Sequence, residues 1–150
     1  MRSYLSPRAQ SSAAILLVDD NQDGSNARRY VLEEFGFKVV STRCGHDALK
    51  AIEEQNFDLI VTDYKMSPMD GLELIRKLRG RNFKNPIILL TGFADALGMR
   101  PDTTGADVVV QKSANEVSTL VRHAKRLTSV PKKPARSVGA GGGAQSQSGG

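Results

Sequence analysis

Side chains that handle phosphate and divalent cations fall at the ends of apolar runs in this chain. Asp19 and Asp20 follow Ile15-Leu16-Leu17-Val18, and Asp63 follows Leu59-Ile60-Val61-Thr62. Thr91 follows Ile87-Ile88-Leu89-Leu90, and Lys112 comes just past Val108-Val109-Val110. In an open parallel sheet, ligands bind outside the carboxyl ends of the strands. If the four runs are neighbouring parallel strands, three carboxylates, a hydroxyl and an ammonium converge on one crevice. Mg2+ prefers oxygen ligands in octahedral geometry, usually one or two carboxylates with waters and phosphate oxygens. Crowded carboxylates repel one another, and a divalent cation relieves that. A phosphoryl group arriving at Asp63 would share the cation, with Lys112 on one phosphate oxygen and the Thr91 hydroxyl donating to another. Phosphoryl transfer asks mainly for such positioning and charge stabilisation. Gly92 leaves the amide beside Thr91 open to approach.

Singly, each residue has a plainer role. Asp19 or Asp20 would serve as a helix cap, Asp63 as a turn residue, Lys112 as a solvated lysine and Thr91 as a loop hydroxyl. Jointly, the plain account requires a coincidence at each of four strand ends.

The elements that must position them alternate along the chain. Apolar runs near 15–19, 37–41, 58–63, 86–91 and 107–111 read as five strands, each followed by a helix. Continuous apolar strands imply a parallel sheet covered on both faces, and right-handed crossovers then give a doubly wound layer. Ala27, Val31 and Phe35 recur every four residues on the first helix, which stops at Gly36. Ala48, Ala51 and Ile52 mark the second. Leu72, Ile75 and Leu78 mark the third, opened by Asp70 with Glu73 in capping-box spacing. Val117, Leu120, Val121, Ala124 and Leu127 form the stripe of the last, with Ser113 and Glu116 spaced as its capping box. The fourth, over 93–104, contains Gly98 and Pro101, which disfavour a helix interior, and is expected to be short or frayed.

Composition narrows the classes. The 150 residues suit one domain with some excess length. A single cysteine, Cys44, permits no intramolecular disulfide framework and fits a reducing compartment. No signal-peptide stretch precedes Ala13, and no apolar run approaches the roughly 20 residues of a spanning helix. The expectation is a soluble cytoplasmic protein with no membrane association. The net charge of +5 sits in the flanks: Arg2 and Arg8 in 1–14, and Lys132, Lys133 and Arg136 in 129–150, neither stretch holding an acid. Residues 15–128 are neutral, which argues against a nucleic-acid-binding face in the folded part. The expected organisation is a disordered extension over 1–12, a domain over 13–128, and a flexible basic, Gly/Ser-rich tail over 129–150.

Over about residues 13–128 the sequence resembles the receiver domain of two-component response regulators. Ile15-Leu16-Leu17-Val18-Asp19-Asp20-Asn21 resembles the family's opening strand and acidic pair. Asp63-Tyr64-Lys65-Met66-Ser67-Pro68-Met69-Asp70-Gly71 resembles the segment around its phosphoacceptor. Leu90-Thr91-Gly92 and Gln111-Lys112 resemble its remaining signatures, in order and at fitting separations. The resemblance implies a flavodoxin-like (βα)5 fold with strand order 2-1-3-4-5. It implies a Mg2+-dependent transfer onto Asp63 from a histidine kinase or histidine phosphotransfer protein. Asp20 would ligate Mg2+ directly, Asp19 would help through water, and Lys65 would offer its backbone carbonyl. Thr91 would act as the switch and Lys112 would bind phosphate.

Such a domain is no enzyme beyond catalysing its own phosphorylation and dephosphorylation. Its output would be protein contact, with no direct DNA binding and with homodimerisation through the fourth and fifth helices as an option. Two rival classes are a phosphorylation-independent interaction module of the same fold and a Mg2+-dependent phosphohydrolase. Intact Asp63, Thr91 and Lys112 argue against the first. The second uses aspartates one residue apart, whereas Asp19 and Asp20 are adjacent.

Three positions depart from the family pattern. Ser113 stands where Pro usually follows the lysine, so the Lys112–Ser113 peptide is expected to be trans. Val109 stands where an aromatic switch residue is common. Phe93, two past the threonine, cannot orient an attacking water by hydrogen bonding, which implies a slowly hydrolysed acyl phosphate. His46, His123 and Cys44 lack the companions of a metal or phosphodonor site.

Overall fold

The computed structural model describes residues 13–92 and 98–129. Among the described residues, five strands and five helices alternate: β1 (Ala14–Val18), α1 (Gln22–Glu34), β2 (Lys38–Thr42), α2 (Gly45–Glu54), β3 (Leu59–Asp63), α3 (Gly71–Gly80), β4 (Ile87–Thr91), α4 (Pro101–Thr104), β5 (Val108–Gln111) and α5 (Glu116–Ser129). All strand pairings are parallel, and the order is β2-β1-β3-β4-β5. This is the doubly wound 2-1-3-4-5 sheet expected.

The strands read as unbroken apolar runs because both faces are covered, and successive side chains go to opposite sides. Leu16, Val18, Ile60, Ile87 and Leu89 pack with Leu74, Ile75 and Leu78 of α3 and with Ala48 and Leu49 of α2. Ile15, Leu17, Leu59, Val61, Ile88 and Leu90 pack with Leu32 of α1 and with Leu120, Val121 and Ala124 of α5. Each buried Leu or Ile contributes about 1.5–3 kcal/mol relative to exposure, so two such layers hold the strand ends in place.

Of the helix expected over 93–104, the described part is the single turn α4. Pro101 occupies its first turn, where its missing N–H is harmless, and Gly105 closes it in the left-handed region at φ 83°. Residues 93–97, including Phe93, lie outside the described residues, as do 1–12 and 130–150.

Helix α1 departs from its expected stripe. Ala27 is exposed, Val31 half-buried and Phe35 48% exposed, whereas the buried line is Ser25, Arg28 and Leu32. The physical reason is ionic. Two carboxylates from other elements meet Arg28, so a charged side chain occupies the core-facing line.

Candidate functional site

Parallel topology brings the carboxyl ends of β1, β3, β4 and β5 to one edge, and the five expected residues fall at or just past those ends. Asp19 and Asp63 are buried, at 1% and 4% exposure, while Asp20 is exposed. Each of the three aspartates offers a carboxylate oxygen, and these atoms lie within 4.8 Å of one another. Thr91 is buried at the end of β4, the strand beside β3. The Lys112 amide donates to the Thr91 carbonyl at 2.9 Å, and its Nζ lies 2.6 Å from Asp63 Oδ1.

The local sequence explains these placements. Asn21 caps α1 by accepting from the Gly24 amide at 2.9 Å, and the Asn21 amide donates to Asp19 Oδ1 at 2.9 Å. The chain thus turns sharply after β1 and leaves Asp20 at the rim. Beyond β3, Asp70 caps α3 by accepting from the Glu73 amide at 2.9 Å, and the Gly71 amide donates to the Tyr64 carbonyl at 2.8 Å. Gly71 is required by close approach: a Cβ there would lie 2.4 Å from the Asp63 carbonyl oxygen. An open cleft of about 380 Å³ lies beside the site, lined by Asp20, Tyr64, Lys65, Met66, Ser67 and Asp70.

Burial pushes the Asp63 carboxyl above its ordinary pKa; Lys112 pulls it back and Asp19 adds to the rise. Asp63 Oδ1 is sealed from solvent and pairs with the Lys112 ammonium. A carboxylate in that condition favours an added cation, and three carboxylates with no nitrogen or sulfur donor form a hard-cation donor set. Lys65, two residues past Asp63, lies at the cleft wall.

Two residues of the site were not evident in the sequence. The Arg28 guanidinium is buried and donates to Asp19 Oδ2 and to Glu116 Oε2. Burial works against its charge, but Glu116 and Asp19 outweigh that and hold its pKa above the ordinary value. The available signal was its position four residues before Leu32, on the same helical face. Glu116 therefore does not complete the capping box with Ser113; instead the Ser113 hydroxyl accepts from the Asn115 amide at 3.3 Å. The Lys112–Ser113 peptide is trans, the cis bond among the described residues being Ser67–Pro68.

Val109 packs against the α2–α3 side of the core. His46 is exposed on α2, while His123 Nδ1 lies 2.9 Å from Arg126 Nη2 on α5. Cys44 is a free thiol at the N-cap of α2. No helix among the described residues is long and apolar enough to cross a membrane.

The family model described as the response regulator receiver domain matches residues 15–124. The chain is 34% identical over 122 residues to the alkaline phosphatase synthesis transcriptional regulatory protein PhoP of Bacillus subtilis, covering 77% of this chain and 50% of PhoP. It is 39% identical over 88 residues to the CAI-1 autoinducer sensor kinase/phosphatase CqsS of Vibrio cholerae, covering 57% of this chain and 13% of CqsS. The chain thus spans half or less of these curated relatives. Among solved structures, response regulator TrrA from Thermotoga maritima in complex with Mg(2+)-BeF superposes with a TM-score of 0.69 at 30% identity, covering 77% of this chain and 98% of that one.

Proposed function

Since the chain belongs to the response regulator receiver family, we propose that Asp63 is its phosphoacceptor and that a divalent cation assists the transfer. The observation that carries this is the buried Asp63 carboxylate, 2.6 Å from Lys112 and grouped with Asp19 and Asp20. As an Asp63 oxygen bonds to phosphorus, the bond to the donor histidine breaks, giving an acyl phosphate and a free imidazole. Lys112 already pairs with the Asp63 carboxylate and would pair with the incoming phosphoryl charge. The Thr91 hydroxyl donates to a second phosphoryl oxygen. Asp19, Asp20, Asp63 and the Lys65 carbonyl would hold Mg2+, which supplies charge neutralisation for the transferred group.

The same reading covers partners and place. A sensor histidine kinase or histidine phosphotransfer protein donates, as the likeness to the sensor kinase CqsS supports. Output passes through protein contact in the cytoplasm, with pairing through α4 and α5 as the surface to test. Slow hydrolysis of the acyl phosphate follows from Phe93; its lifetime should shorten in Phe93→Glu.

The deciding experiment is intact mass after acetyl phosphate treatment, with and without Mg2+, on wild type and Asp63→Asn. The expected result is an adduct of about 80 Da, one phosphoryl group, on wild type with Mg2+ alone. An adduct that survives in Asp63→Asn would reassign the acceptor. No adduct with Mg2+ demonstrably bound would favour a phosphorylation-independent interaction module.

A further inference from the structure

The acidic pocket carries a cation of its own. Arg28 lies on the inner face of α1 with its side chain 8% exposed. It donates from Nη1 to Asp19 Oδ2, from Nε to Glu116 Oε2, and from Nη2 to Glu116 Oε1 at 3.3 Å. The other oxygen of Asp19 accepts from the Asn21 amide at 2.9 Å. Both Asp19 oxygens are therefore engaged, although Asp19 belongs to the three-carboxylate group. A guanidinium has five donors in a fixed fork and cannot lose its charge. It can serve Asp19 and Glu116 together, and it can lean toward either one.

We propose that Arg28 is a positioning residue that competes with a divalent cation for Asp19, and that Glu116 sets the strength of that competition by drawing the guanidinium toward α5. The inference rests on the reading of Asp19, Asp20 and Asp63 as a cation site. Linkage makes the coupling reciprocal. Whatever strengthens the Arg28–Glu116 pair raises cation affinity, and cation uptake tightens the junction of α1 with α5. A residue that only braced α1 against α5 would change stability without shifting affinity in opposite directions when its two partners are altered.

The test is Mn2+ binding to the full chain, read from the electron paramagnetic resonance signal of the free ion, with no phosphodonor present. Arg28→Met/Glu116→Leu removes the guanidinium together with Glu116, so Glu116 is not left buried without its partner, while Asp19 keeps the Asn21 amide. It should bind Mn2+ about tenfold more tightly, since one adjacent charge moves a carboxylate's equilibrium by about one to three powers of ten. Glu116→Gln leaves the guanidinium to Asp19 alone and should weaken binding, by about threefold to tenfold on the same scale. If the double variant does not fold by circular dichroism, Glu116→Gln decides alone: unchanged or tighter binding overturns the proposal. Equal affinities in all three proteins, with binding intact, would end Arg28's role and leave the cation site standing. No Mn2+ uptake by any of them would remove the cation site and this inference with it.

Discussion

Gly71→Ala should damage this protein far more than the loss of one glycine in a helix suggests. Gly71 opens α3 directly behind Asp63, and a Cβ there would stand 2.4 Å from the Asp63 carbonyl oxygen, 2.9 Å from Tyr64 Cα and 3.0 Å from Leu89 Cδ1. Two of the three are backbone-side atoms at the end of β3, where pairing with β4 holds Asp63 opposite Leu90, so they cannot rotate away. Reaching ordinary contact requires about 1 Å of separation between the start of α3 and the end of β3. A shift of that size takes the 2.8 Å bond from the Gly71 amide to the Tyr64 carbonyl out of range. Overpacking of this kind costs about 1–3 kcal/mol, and the lost hydrogen bond adds about 1 kcal/mol. The expected destabilisation is therefore about 2–4 kcal/mol.

Urea unfolding followed by circular dichroism measures it. With a slope of about 2 kcal/mol per molar, the middle of the usual range, the midpoint should fall by roughly 1–2 M. Gly80→Ala is the matched control. No atom stands within 4 Å of a Cβ at Gly80, so this variant should be unchanged or more stable by up to about 1 kcal/mol. Gly71→Ala lying within about 0.5 kcal/mol of wild type, the range of an ordinary surface change, would refute the reasoning, because the β3–α3 turn would then yield freely. The Asp63 backbone would not be fixed by the close approach.

Asn21→Ala removes the cap bond to the Gly24 amide and should cost about 1 kcal/mol in urea unfolding. Asp107→Ala strips Oδ2 from both the Ile87 amide at 2.8 Å and Arg79 Nη2 at 2.9 Å. It should cost about 1–3 kcal/mol, while the Asp63 adduct measured by mass remains. His123 has its pKa lowered below 6.5, first by burial and then by Arg126 and Arg122. The folded state thus resists protonation, so its stability is full above 6.5 and declines as pH falls from there toward the folded value. Thermal unfolding across that window should show a shallower decline in His123→Gln than in wild type, and an identical decline would rule out the histidine as a source.

Legibility in the sequence followed the range of the interaction that decides each residue. The strands were readable because a parallel sheet buries both faces, so Ile87-Ile88-Leu89-Leu90 needs no partner to declare itself. Once the order is 2-1-3-4-5, the strand ends put Asp19, Asp63, Thr91 and Lys112 at one edge, and local caps such as Asn21 and Asp70 aim the loops. The period of four in Ala27, Val31 and Phe35 misled because the α1 line that faces the core contains an arginine. Its burial depends on Glu116, 88 positions away, and no local pattern announces that pairing. The same distance hid the misassigned capping box, since spacing shows that Glu116 can reach back to Ser113 but not that Arg28 outcompetes it. One consequence is a division of labour among the acids. Asp19 is held by the Asn21 amide and Arg28 and Asp63 is paired with Lys112, whereas Asp20 stands exposed at the rim. On the proposed reading, an arriving cation would meet Asp20 at least cost in broken contacts, and Asp19 would contribute its charge from behind to the extent that Glu116 draws Arg28 away.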